Sequence, residues 1–285
     1  MTRCAALVCA CLIGVASAAG AQDQPPDAIE PDRPDVTNGT HIVDIGLLQI
    51  EIGGIYVRSG SQQHSLGTPL TARVGLTDWL EARVGTDGFV TQNVFGATAS
   101  GIGNLQAGAK LRLWAEAGGV PVLSILPNVN IPTANADAGL GSGAADYTLT
   151  LLTGRDVGRH WHADVNYGIG AIGVADGQPH FLQQLASVSV SAAASDNWNP
   201  YVETFWLSRG EPGGGAVGGV DAGAIYELGA RYALDGGLQF GVTADAPAFA
   251  AFGGISIIVG EILGAHGVHA RQRQRQRRAA RAPRR

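Results

Sequence analysis

His160, His162 and Asp164 stand at i, i+2 and i+4, a spacing that on a strand puts all three on one face, opposite Trp161, Ala163, Val165 and Tyr167. Two imidazoles and a carboxylate could begin a metal site, but a closed one needs a further ligand that the neighbouring sequence does not offer. A polar strand face turned to an interior is the preferred reading. Gly168-Ile169-Gly170-Ala171-Ile172-Gly173 spells the dinucleotide fingerprint G-x-G-x-x-G after a strand. That fingerprint requires a helix opening at its third glycine, and Val174 to Pro179 cannot start one. The strand before it is half polar, through His162, Asp164 and Asn166, where a nucleotide-binding strand is apolar on both faces. Ser187, Ser189 and Ser191 alternate as a plain strand face, and no G-x-S-x-G occurs. No catalytic residue, metal ligand or cofactor is therefore assigned. A barrel enzyme acting on lipids through Ser, His and a carboxylate stays open as the weakest reading, since such a triad is recognised by geometry and not by order.

These residues all lie on segments of period two. From Asn104 to Leu113, apolar or small residues fill the odd positions and polar residues or glycine the even ones. This is a strand with one greasy and one wet face, about as long as the 9 to 11 tilted residues that cross a bilayer. Thirteen such candidates run from Gly46–Arg58 to Phe252–Gly260, among them Gly229–Ala233 and Leu238–Ala244, with a hairpin turn expected at Leu234 to Gly237. Leu76 to Trp79 reads as a second short turn, and Ala134 to Ala145 and Ser208 to Gly219 as long outer loops. Because such barrels have even strand numbers, the expectation is an all-β, transmembrane, antiparallel up-and-down barrel of about twelve strands, within ten to fourteen. A soluble β-sandwich also alternates, but Trp79, Trp114 and Trp198 sit at strand ends, where an aromatic girdle would need them. Forty-two glycines among 285 residues suit closely packed, bending strands.

The ends of the chain carry different signals. Arg3, an uncharged run from Cys4 to Val15 and Ala19-Gly20-Ala21 form a secretory leader, so residues 1–21 are expected to be removed. All three cysteines, Cys4, Cys9 and Cys11, leave with it, which excludes disulfides, thiol catalysis and Cys-based zinc sites from the mature chain. Residues 22–45 form an acidic, proline-rich arm, unable to be a helix or central strand and expected to be flexible or plug-like. Residues 46–260 form the barrel, and residues 261–285 a basic tail expected to be disordered and outside it. Between 22 and 261 there are 24 acidic residues against 10 basic ones, whereas the tail carries eight arginines. An exported chain meets little nucleic acid, so the arginine run is read as a solvated surface.

The alternation assigns Glu51, Arg73, Glu81, Arg83, Gln106, Lys110, Arg112, His162, Asp164 and Asn166 to the lumen. On the lipid face each charge would cost about 2 to 4 kcal/mol at the midplane. A polar lumen points to passive passage of small molecules; a structural or adhesive barrel whose lumen the arm closes is the alternative.

Several blocks together resemble the outer-membrane transporters of the MetA-pathway of phenol degradation family. They are Pro31-Asp32-Arg33-Pro34-Asp35-Val36-Thr37 with Ile45 to Tyr56, then Thr68 to Gly85, Gly101 to Lys110, Asn130 to Thr133 and Pro200 to Glu203. The resemblance spans about residues 31–260. It implies a channel or transporter in the outer membrane for small, aromatic or other apolar compounds, with outer-membrane lipids and the barrel assembly machinery as partners. Barrels of this kind end on a strand with a terminal aromatic, whereas here Ile257-Ile258-Val259-Gly260 runs on into the basic extension. Amino-terminal sequencing of the protein from fractionated cells is expected to begin at Gln22, in the outer membrane; an intact Met1 or recovery in the cytosol would refute export.

Overall fold

The computed structural model describes residues 29–33, 36–117 and 119–263, so the expected leader and most of the basic tail lie outside the described residues. β1 (Leu47–Gly60) is followed by three paired segments: β2 (Gln63–Gly67) with β3 (Leu70–Gly75), β4 (Leu80–Thr86) with β5 (Phe89–Val94), and β6 (Ala97–Ile102) with β7 (Leu105–Trp114). Then come β8 (Val122–Ile131), β9 (Asp146–Val157), β10 (Trp161–Ile172), β11 (Phe181–Ala192), β12 (Trp198–Leu207), β13 (Val217–Glu227), β14 (Tyr232–Gly241) and β15 (Phe249–Glu261). Each paired set is one interrupted stave. β1 pairs antiparallel with β3 on one side and β15 on the other, which closes a barrel of twelve staves. Closure removes the sheet edge along the wall, and each wall residue keeps one face for the lumen and one for the outside.

The outward face is apolar along the wall: Val84, Leu149, Leu151, Val165, Ile169, Val202 and Leu238 are all exposed. Aromatic residues bound it at the end where β1 begins and β15 finishes, through the exposed Trp79, Trp114, Trp161, Trp198 and Tyr232. Tyr147, Trp206 and Phe240 mark the opposite end. The inward face reverses the usual rule, burying Gln49, Glu51, Arg73, Glu81, Lys110, Ser124, Asn166 and Glu203. Among the described residues no helix is long and apolar enough to cross a membrane.

Two expectations change. Leu234 to Gly237 is no turn but the middle of β14, in unbroken register with β13 and β15. Gly237 lies against the Phe252 ring and Ala222 O, where a side chain would not fit, so this Asp-Gly-Gly records close packing within a strand. The expected Gly229–Ala233 and Leu238–Ala244 strands accordingly belong to one element. In addition, β2, β5 and β6 were not expected. They extend the first four staves beyond the wall at the loop end, where alternation fades because polar residues occupy the outward face as well.

The staves break along one line. Gly88, with φ of +66°, packs onto Thr68 O between β4 and β5, while Asp87 accepts Asn104 N at 3.0 Å between β6 and β7. Gly88→Val is expected to cost on the order of 1 to 3 kcal/mol, through a left-handed backbone and a clash with Thr68. Gly96→Asn, at a left-handed position with open space around it, should cost little. Urea unfolding of the two variants refolded in lipid vesicles checks the difference; equal midpoints would refute the role of the break line.

Candidate functional site

Residues 29–33 and 36–45 do not join the wall, which begins at Gly46, bonded to Gly75 O and Ile262 N. They run inside it, without helix or strand apart from the Ile45 bridge to Gly75, and a chain so placed has few backbone partners of its own. Lumen side chains supply them. Asp32 N donates to Glu51 Oε1 at 3.5 Å and Val36 N to Glu203 Oε2 at 2.9 Å. Asn38 N donates to Asn166 Oδ1 at 2.8 Å and Val43 N to Glu81 Oε2 at 3.0 Å. Asn166 Nδ2 returns a bond to Asn38 O at 3.0 Å, and Thr37 Oγ1 donates to Ser187 Oγ at 2.8 Å. Val36, Thr37 and Asn38 thus meet β12, β11 and β10 in turn, and the chain then passes β7 and β4 on its way to β1.

At the centre of this circuit lies a buried charge cluster. Lys110 Nζ donates to Asp32 Oδ2 at 2.6 Å, and the Arg83 guanidinium lies 2.8 Å from the same oxygen. Arg73 binds Glu81 in a bidentate pair at 2.9 and 3.0 Å, reaches Glu51 at 2.8 Å, and lies 3.4 Å from Asp32. The remaining donors of the wall take arm carbonyls: Arg73 those of Glu30 and His41, Lys110 those of Gly39 and His41. Arg73, Lys110, Glu51 and Glu81 are wholly buried. With one partner removed, such a cluster strands charges in the interior, a loss of about 3 to 5 kcal/mol.

Arg33 holds the arm to the far wall through Nε and Nη2, each 3.1 Å from an oxygen of Asp235. Its guanidinium lies over Gly53 and Gly254, which face each other across β1 and β15. A Cβ on Gly53 would occupy the space of the guanidinium itself, so this notch exists only for glycine. Two apolar anchors complete the seat. Ile29 packs with Ala233 and Ile258, and Val36 with Phe205, Leu207, Val217 and Ala246. Full burial of a side chain of the size of Ile29 contributes about 1.5 to 3 kcal/mol, and the half-buried Val36 contributes less.

The arm divides the lumen. A cavity of about 580 Å³ opens beside Glu30, Thr37 and His41 and reaches the wall at Arg112, His162, Asp164 and Tyr201. A second, about 250 Å³, lies at the loop end against Gln92, Glu211, Val217 and Asp245. Val36 packs on Val217 and Ala246, which line the second. In the larger cavity His162 is bracketed by Asp156 at 2.7 Å and Asp164 at 3.2 Å, and Glu30, Glu116 and Glu227 add carboxylates to a lining that also holds Arg112.

Of the residues the alternation assigns to the lumen, Glu51, Arg73, Glu81, Arg83 and Lys110 meet in the charge cluster, and Asn166 holds the arm backbone. His162, Asp164 and Arg112 line the larger cavity. Gln106 stands apart, donating to Asp87 Oδ1 at 3.1 Å near the break line. Asp32, Arg33, Ser187, Glu203 and Asp235 carry the site yet were not assigned to it. For Glu203 and Ser187 the alternation continues through β12 and β11 and could include them; for Asp32 and Arg33 the proline-rich block reads as flexible or plug-like without indicating which wall residues it meets.

Burial alone would raise the Asp32 carboxyl, but Arg73, Lys110 and Arg83 outweigh it and hold the group far below the ordinary carboxylate range. Burial lowers the His41 imidazole below its ordinary value, against the opposing pull of Glu30.

Residues 31–257 match the sequence profile of the family described as "Putative MetA-pathway of phenol degradation". In fold, the chain is similar to an outer membrane channel from Pseudomonas putida F1, at 14% identity and a TM-score of 0.61 over 78% of this chain and 99% of that one. It is also similar to the porin NanC, at 11% identity and a TM-score of 0.54 over 73% of this chain and 98% of the porin. No curated protein sequence is significantly similar to it.

The lowered groups fix the sign of a pH effect. The docked arm binds protons more weakly at His41 than a free arm does, so docking is strongest above 6.5 and weakens as the pH falls below it. Asp32 adds a second loss below 3.8. Protease cleavage within the arm of vesicle-inserted protein is expected to rise between neutral pH and about pH 5. His41→Gln should flatten that rise, and a wild-type arm equally protected throughout would contradict the assignment.

Proposed function

The chain belongs to the MetA-pathway of phenol degradation family, and we propose that it is an outer-membrane channel for passive passage of small molecules, gated by its own N-terminal arm. The observation that carries this reading is the nature of the obstruction. The wall is a closed barrel with a polar lumen, and what fills it is a segment tethered at Asp44 and Ile45 and otherwise held by side chains. Such a segment can leave without breaking the sheet. The apolar outward face between two aromatic belts suits a bilayer, and the short turns at the end bearing both ends of the wall suit the periplasmic side.

The larger cavity supports the choice of solute. Tyr201, Ile225, Ile29 and Val122 give it an apolar side, and its six carboxylates outnumber Arg33, Arg112 and the two histidines. A volume of about 580 Å³ falls within the range of sites for small organic molecules. Aromatic or other apolar compounds fit such a wall, and among ions the acidic lining favours cations over anions.

The buried arm also agrees with the rival reading, a structural barrel whose lumen never opens. Conductance and solute flux in liposomes separate the two. Wild type should conduct poorly, while deletion of residues 22–44 or Gly53→Val, which expels the Arg33 guanidinium, should raise conductance about tenfold or more and select cations over chloride. Lumens that stay impermeable to ions and small aromatics in both variants would sink the transport reading in favour of the structural one.

A further inference from the structure

The hairpin of β5 and β6 records where the membrane ends. On its outward face Phe89 and Ile102 are register partners and both are exposed. The next rungs on that face are polar: Thr91 meets Ser100 at 2.9 Å, and Asn93 Nδ2 donates to Thr98 Oγ1 at 2.9 Å. An apolar rung followed by two hydroxyl and amide rungs marks the exit from hydrocarbon. Beyond them Val94 and Ala97 close the hairpin through Phe95 and Gly96.

Phe95 is anomalous there. Its φ is +52° and that of Gly96 is +87°, the pattern of a turn for which Asn-Gly is the favoured sequence. A bulky aromatic in the left-handed region is strained, yet this one is pinned: Phe95 N donates to Gln62 O at 2.9 Å and Gly96 N to Asn93 Oδ1 at 3.2 Å. The ring buries nothing in return, being 69% exposed. Strain at an exposed aromatic points to a contact outside the chain.

The surroundings say what kind of contact. No Asp, Glu, Lys or Arg occurs in residues 59–67 or 88–103, although residues 22–261 as a whole are strongly acidic. The surface instead offers hydroxyls and amides, with the exposed Leu66 of β2 beside Thr91 and Phe95 at the tip, and Arg58 of β1 flanks it beside His64 of β2. Six residues separate Phe89 from Phe95, about 20 Å of strand, which clears a lipid headgroup layer even with the strands tilted. Because this face continues the lipid-facing surface upward, what lies against it is whatever stands on the acyl chains there.

We propose that the outward face of β2, β5 and β6, tipped by Phe95, binds the sugar portion of the outer-leaflet lipopolysaccharide. The Phe95 ring stacks on a sugar face, the Thr91–Ser100 and Asn93–Thr98 rungs bond its hydroxyls, and Arg58 meets a nearby phosphate. The assignment rests on the outer-membrane reading above, and it gives the strained turn a purpose that passage through the lumen does not.

The test titrates the full-length protein, folded in detergent, with lipopolysaccharide bearing a complete core, with lipid A lacking core sugars, and with phosphatidylglycerol. Core-bearing lipopolysaccharide is expected to bind at least about fivefold more tightly than lipid A, the scale of one aromatic anchor. Phe95→Asn should remove that difference while keeping or raising the melting temperature, since Asn-Gly suits the turn. Arg58→Gln should weaken both glycolipids alike. Equal binding of the two glycolipids by wild type, or an unchanged preference in Phe95→Asn, would overturn the proposal. The premise is checked apart from it: a chain that never inserts into phospholipid vesicles as a heat-modifiable species removes the outer-membrane reading itself, whereas insertion without sugar preference removes only this inference.

Discussion

A polypeptide without secondary structure can be buried only if something else satisfies its backbone, and that requirement organises the interior of this barrel. Glu51, Glu203, Asn166 and Glu81 each accept a backbone N–H of the arm, while Arg73 and Lys110 donate to its carbonyls. The wall therefore replaces the ladder that the arm cannot form. It does so with charged groups because they reach across the lumen and make stronger bonds than neutral ones.

Charge balance follows from the same arrangement. Arg33, Arg73, Arg83 and Lys110 are matched by Asp32, Glu51, Glu81 and Asp235, and two of these eight residues belong to the arm. Without the arm, Arg73, Arg83 and Lys110 would face only Glu51 and Glu81, and Asp235 would stand without Arg33. The wall is thus incomplete electrostatically when the lumen is empty, which gives docking a driving force and opening a cost. Water entering the opened lumen would hydrate the stranded charges and lower that cost. Occlusion held by hydrated or hydratable contacts is reversible in a way that a packed apolar plug is not.

The glycines serve two different constraints. Gly53 and Gly254 make room for the Arg33 guanidinium, so their small size is a property of the site. Gly88 and Gly96 supply left-handed backbone, one where the staves break and one in the hairpin beyond it. The two kinds cannot be told apart by composition, since the same residue answers both needs.

The alternation of period two, together with tryptophans at the strand ends, pointed to the barrel. Because successive side chains point to opposite faces, an apolar set at every second residue fixes which face meets lipid, and the same alternation puts Glu51, Arg73, Glu81, Arg83, Lys110 and Asn166 on the opposite face. Local pattern could not distinguish Asp235-Gly236-Gly237 as a turn from the same residues as a strand packed against Phe252, because the deciding neighbour lies on β15. Nor could it locate Asp32 and Arg33. Their partners, Lys110 and Arg83 for the one and Asp235 for the other, lie 78, 51 and 202 positions away in sequence and meet them only when the wall closes. The sequence alone determined which residues of the regularly alternating strands face inward, since that depends on neighbours two positions away; only the tertiary structure decided which wall residues hold the arm in the lumen, since that depends on β1 meeting β15.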